Sequence, residues 1–133
     1  MDFLESFSIS RVDLSEPLKT FYILNALQEK QNLKHLELSC CVVSDDIGDH
    51  FSDFFAVNKS LENLELKYNS LNSNVCYGIG KGIMKFKGVL KYLGLAGNHI
   101  MEAGFLAIGA GCKSSYQIQK LDCLVVQKWL PHH

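Results

Sequence analysis

The sequence predicts one α/β domain of stacked strand–turn–helix units, with parallel strands lining an inner, concave face and helices covering an outer, convex one. Three observations carry this prediction. A short block of the form apolar-x-x-apolar-x-apolar recurs along the chain. The clear copies lie 28 or 29 residues apart. Behind each clear copy, a second set of apolar residues recurs at helical spacing. The 133 residues suit a single domain, 1–133.

The clear copies are LKHLELSCCVV from Leu33, LENLELKYNSL from Leu61 and LKYLGLAGNHI from Leu90. A weaker block, IQKLDCLVV, opens at Ile118. Backward, ISRVDLSEP opens at Ile9, 24 residues before Leu33. Repeats are therefore expected near 9, 33, 61, 90 and 118, with an N-terminal cap at about 1–8 and a short C-terminal end at 127–133. In the cap, Phe3, Leu4 and Phe7 have the spacing of a short helix. At the other end, Trp129 and Leu130 either fold back over the last strand or form an interface with another protein or another copy of the chain.

Each block alternates apolar and polar residues, which gives a short strand with one apolar face. The ninth residue is Cys41, Asn69 or Asn98. Such side chains can satisfy backbone groups where the chain leaves the strand, and stacked copies would form a ladder of them. Pro17 and Val126 hold that place in the first and last units, which makes these two the atypical ones. One unit cannot bury its apolar face alone, so the units must stack. A helix is wider than a strand spacing of about 4.8 Å, so the stack must curve with its strands inside.

These blocks resemble the leucine-rich repeat, LxxLxLxx(N/C)xL, and the unit length is similar to that of the long, ribonuclease-inhibitor-like subtype. The resemblance runs from about Ile9 to Val126. It implies a leucine-rich repeat solenoid, a short curved horseshoe. It also implies an intracellular, eukaryotic binding module rather than an enzyme. Known members include nuclease inhibitors, regulators of small GTPases, sensor regions of immune receptors and parts of cilia and other cytoskeletal assemblies.

The glycine-rich stretch YGIGKGIMKFKG, Tyr77 to Gly88, suggests a phosphate loop only at first sight. Such a loop places its glycines directly between a strand and a helix start. Here the strand ends near Leu66, and Lys81 is followed by Gly82 rather than Ser or Thr. In the repeat frame Gly80 and Gly82 fall between Ile79 and Ile83, and Gly109 and Gly111 between Ile108 and Cys112. They are expected on the outer helices, letting neighbours approach closely. Helix starts are expected near Ser44–Asp45, Ser73–Asn74 and Glu102, where capping or acidic residues stand.

Thirteen basic and fourteen acidic side chains give a formal net charge of −1, which offers no field for nucleic acid or anionic membrane. No apolar run reaches the roughly 18 residues of a spanning helix. The first residues carry acids where a signal peptide carries bases. A cytoplasmic location follows as the expectation, with a cytoskeletal or ciliary one among the alternatives. Five cysteines without CxxC spacing are expected to be reduced thiols. No catalytic constellation, metal site or cofactor site is expected. His35 and His99 read as solvent-facing, and His132 and His133 have no catalytic role.

Function is then expected on the residues between the leucines. The fifth place of each unit reads Asp13, Glu37, Glu65, Gly94, Asp122, a mostly acidic column. Around it stand His35, Lys67, Tyr68 and Tyr92. The bland reading is a solvated strand face. The functional reading is a partner-binding groove for a basic segment of another protein, with Tyr68 and Tyr92 as rigid contacts. The expected role is a non-enzymatic protein–protein interaction scaffold, a subunit of a larger assembly. The alternative is a regulatory or substrate-recruiting subunit of an enzyme complex such as a ubiquitin ligase.

Overall fold

A computed structural model describes residues 3–113 and the backbone of 114 and 123–125. Strands and helices alternate along the chain as β1 (Ser6–Ser10), β2 (Asp13–Leu14), α1 (Pro17–Leu27), β3 (His35–Ser39), β4 (Val42–Val43), α2 (Ile47–Val57), β5 (Asn63–Glu65), α3 (Ser73–Lys85), β6 (Tyr92–Gly94), α4 (Glu102–Ser114) and β7 (Cys123–Val125). The architecture is mixed α/β. Five strands form a parallel sheet in chain order, β1-β3-β5-β6-β7, and β2 pairs with β4 in a second, two-stranded parallel sheet. Parallel neighbours require a crossover, and one helix supplies each crossover in the larger sheet.

Alternation along the strands decides what is buried. Leu33, Leu36, Leu38, Leu61, Leu64, Leu66, Leu90, Leu93 and Leu95 are each at most 1% exposed. They meet Phe51, Phe55, Ile79, Ile83 and Ile108 of the helices in one core. The residues between the leucines therefore lie on the sheet face away from the helices.

The turn after each strand repeats. Arg11, Cys40 and Tyr68 have φ of 57°, 56° and 57°, and Gly97 has 70°. Each is the eighth residue of its unit. This left-handed kink presents the ninth side chain to its neighbours. Asn69 Oδ1 accepts the Cys41 amide at 2.8 Å, and Asn98 Oδ1 accepts the amides of Asn69 and Leu71 at 2.9 Å each. Asn69 Nδ2 donates to the Leu38 and Leu66 carbonyls, and Asn98 Nδ2 to those of Leu66 and Leu95. The expected ladder is thus present from Cys41 to Asn98.

The two end units sit in a different frame from the one expected. Phe7 pairs with Leu36 and Ile9 with Leu38, so Leu4 is the counterpart of Leu33, 29 residues earlier. The frame from Ile9 is five residues late, and Val12 rather than Pro17 holds the ninth place. The expected capping helix over Phe3–Phe7 is absent for the same reason. SFSIS alternates, and Phe7 and Ile9 pack against the core from a strand. Pro17 instead starts α1, where its missing N–H costs nothing. At the other end Leu93 pairs with Leu124, so the frame from Ile118 is three residues early. Trp129 and Leu130 lie outside the described residues, as do His132 and His133.

Helix starts fall within a few residues of expectation. The cap of α3 is Asn72, whose side chain accepts the amides of Asn74 and Val75. Asp46 precedes α2 without a side-chain cap bond, while Ser44 Oγ accepts the Asp46 amide. The glycines of YGIGKG are on α3, as the repeat frame requires. A Cβ at Gly78 would lie 2.2 Å from the carbonyl of Gly48 on α2, and one at Gly80 2.5 Å from the Ala107 oxygen on α4. Gly111 lies as closely against Gly80, and a Cβ at Gly82 would come 2.8 Å from the Phe55 ring on α2, whereas Gly109 has nothing within 4 Å among the described residues. So three of the four framed glycines permit close helix contact, and Gly109 does not.

Candidate functional site

The sheet face away from the helices brings together His35, Glu37 and Ser39 of β3, Asn63 and Glu65 of β5, and Tyr92 and Gly94 of β6. Parallel register sets His35 beside Asn63 and Asn63 beside Tyr92, and Glu37 beside Glu65 and Glu65 beside Gly94. Neighbouring strands are about 4.8 Å apart, so Glu37 and Glu65 are next to each other, as expected.

Both carboxylates are held. Glu37 Oε2 accepts the Ser39 hydroxyl at 2.8 Å, and its Oε1 lies 3.6 Å from His35 Nε2. Glu65 Oε1 accepts the Tyr92 hydroxyl at 2.6 Å. The rest of that carboxylate lies over Gly94, where a Cβ would come 2.0 Å from Glu65 Oε2. That oxygen is shielded from solvent and has no hydrogen-bond partner among the described residues. Gly94, which interrupts the acidic column in the sequence, is therefore the space into which Glu65 folds. Hydroxyl donors orient the two acids. His35 is thus not a freely solvated side chain but the neighbour of Glu37.

Tyr68 stands at the exit of β5, 55% exposed. Its ring packs on Gly97 so closely that a Cβ there would lie 2.1 Å from Cδ1. Lys67 precedes it and is half-buried. Together these side chains make a half-buried polar patch with an exposed aromatic ring at one margin.

Asp13 is not part of this patch. Its pairing partner is Val42 in the two-stranded sheet, and Ser8 holds the place beside Glu37. Hydrogen bonds from Ser15 hold the Asp13 carboxyl below its ordinary range, with Lys19 adding to the effect. Asp122 lies outside the described residues, and the frame shift puts Val125 beside Gly94. Among the described residues the acidic column thus reduces to Glu37 and Glu65.

Some contacts were not read from the sequence. Glu62 lies 3.8 Å from Lys34 and 3.4 Å from Lys91, a charge-alternating row across the second place of three units. Reading that column as well as the fifth would have found it. Asn58, fully buried, donates to the carbonyls of Gln28 and Lys30 and accepts the amides of Ser60 and Leu61. It has no counterpart in the other units, so no repeat signal marks it.

Cys40 is exposed and Cys41 buried, and with Cys76 and Cys112 they are free thiols. Burial pushes the Cys76 thiol up to about 11, and raises that of Cys112. Among the described residues no group of three or more His, Cys, Asp or Glu is placed to hold a metal ion, and no helix is long and apolar enough to cross a membrane. No protein-family model matches the chain, and comparison with curated proteins gives no match.

Proposed function

We propose that this chain is a leucine-rich repeat solenoid, a short curved horseshoe, acting as a non-enzymatic protein–protein interaction scaffold within a larger assembly. The sequential parallel sheet, the helix at each crossover and the asparagine ladder support the solenoid reading. The observation that carries the binding reading is the orientation of the strand face. Ser39, Tyr92 and the Gly94 gap set the positions of Glu37 and Glu65, and the Tyr68 ring lies against Gly97 at the margin. Side chains ordered before contact lose less entropy on association. The partner is then a protein segment bearing lysine or arginine, with Tyr68 as the aromatic anchor.

The test begins with gentle isolation of the native assembly and identification of its stoichiometric companion. Capture of that companion is then compared for the wild-type chain, Glu37→Lys and Tyr68→Ala. Capture weaker by about tenfold or more in both variants is expected, with unchanged thermal unfolding. Full capture by both would remove the strand face as the binding surface.

A further inference from the structure

The helix layer closes unevenly. Glycines bring α2 and α3 into backbone contact at Gly48 and Gly78, and α3 and α4 at Gly80 and Gly111. No glycine occurs in α1, whose sequence is PLKTFYILNAL. There Phe21 meets His50 of α2 edge to face, with ring centroids 5.6 Å apart. These rings hold the two helices apart, and a groove of about 320 Å³ remains between them. That volume lies at the lower end of the range for ligand pockets.

The chemistry of the groove is specific. Leu24 and Val57 give it apolar walls, and Phe21, 39% exposed, presents an aromatic ring. Asp53 stands on its rim, with Asp49 one turn earlier, also exposed. Among the described residues no lysine or arginine lines it. His50 Nε2 is shielded in the wall and has no hydrogen-bond partner among the described residues.

We propose that this groove seats an arginine side chain of a partner polypeptide. A guanidinium is flat, stacks on aromatic faces and carries an apolar stem, so one side chain meets the ring, the walls and the acid together. Its forked N–H groups supply donors to the exposed Asp53 carboxylate on the rim, beside the His50 ring. A lysine ammonium provides charge without the planar stack, and an apolar side chain leaves the acid unmet. The groove lies on the helix side of the molecule and is independent of the strand-face reading.

The experiment titrates the full chain with capped Leu-Arg-Leu, Leu-Lys-Leu and Leu-citrulline-Leu tripeptides, reading the His50 imidazole proton resonances. Leu-Arg-Leu is expected to shift them saturably, and the other two peptides to bind about tenfold more weakly or less. Asp53→Asn should weaken Leu-Arg-Leu by about tenfold, because it removes a charge-assisted acceptor. Asp53 is exposed, and its carboxylate makes no hydrogen bond or ion pair among the described residues, so the variant keeps the fold. Glu37→Lys, on the opposite face, should leave the titration unchanged. Unmoved His50 resonances would overturn the proposal. Equal binding of the citrulline or lysine peptide, or loss of binding in Glu37→Lys, would also overturn it.

Discussion

Asn69 concentrates more backbone satisfaction than any apolar residue near it. It is 3% exposed, and one side chain serves the Cys41 amide and the carbonyls of Leu38 and Leu66. Leaving a buried backbone group unpaired costs about 1–3 kcal/mol. Asn69→Ala should therefore lower unfolding stability in urea by about 3 kcal/mol or more, whereas a loss as small as that of an exposed-site substitution would deny the ladder its structural role. Cys76 makes a second prediction at this scale. Its folded thiol holds a proton to about 11, and the unfolded one to its ordinary 9.0. The stability from this group is fully present below pH 9 and is lost as pH rises toward 11. A difference of that size between the folded and unfolded thiol corresponds to about 2–3 kcal/mol. Cys76→Ala, compared with wild type by urea unfolding at several pH values, should flatten the alkaline fall by that order. An unaltered slope would show that the thiol does not titrate on unfolding. The ladder asparagines were legible in the sequence because they recur. Glu65 was legible as an acid but not as a folded-down one, since only the stacking of Gly94 beside it reveals the gap it fills.

Among the elements, the helices are distinguished by what their glycines touch. Gly78 lies on the Gly48 backbone, so a methyl group there must force α2 and α3 apart, while Gly109 on α4 has nothing within 4 Å among the described residues. Overpacking typically costs about 1–3 kcal/mol, and replacing an unconstrained helical glycine by alanine gains about 0.5–1 kcal/mol. Gly78→Ala should thus unfold at lower denaturant than wild type and Gly109→Ala at higher. The same sign for both would mean that helix propensity alone governs these sites. From the sequence Gly80 and Gly109 were equivalent places in one frame, yet only Gly80 lies against a neighbouring helix among the described residues. Gly80 meets Ala107 of α4, while Gly109 meets no described neighbour, and a spacing rule alone does not tell the two apart. Helix α1 was also hard to read: its outer residues Leu18, Phe21 and Tyr22 are apolar yet exposed, which blurs the amphipathic stripe.

For the molecule as a whole, the clear copies from Leu33, Leu61 and Leu90 fixed the sheet register, while both end units were misplaced. The 24-residue interval back to Ile9 was the warning, because Leu4, Phe7 and Ile9 restore an interval of 29. Phe7 in a leucine position and Val12 in an asparagine position hid it. The register also sets an order of backbone protection. β5 has a strand on each side, whereas β1 pairs only with β3 among the described strands. Hydrogen exchange should accordingly be slowest at amides of β5, such as Leu64, and faster at those of β1. The reverse order would contradict this arrangement. The ladder itself has a direction. The acceptor for the Cys41 amide comes from Asn69, and that for the Asn69 amide from Asn98. A chain emerging from the ribosome begins with its N-terminal units. The turns at Cys41 and Asn69 therefore wait, incomplete, for an asparagine 28 and 29 residues downstream. Synthesis and closure proceed in the same direction there, with the later unit sealing the one before it.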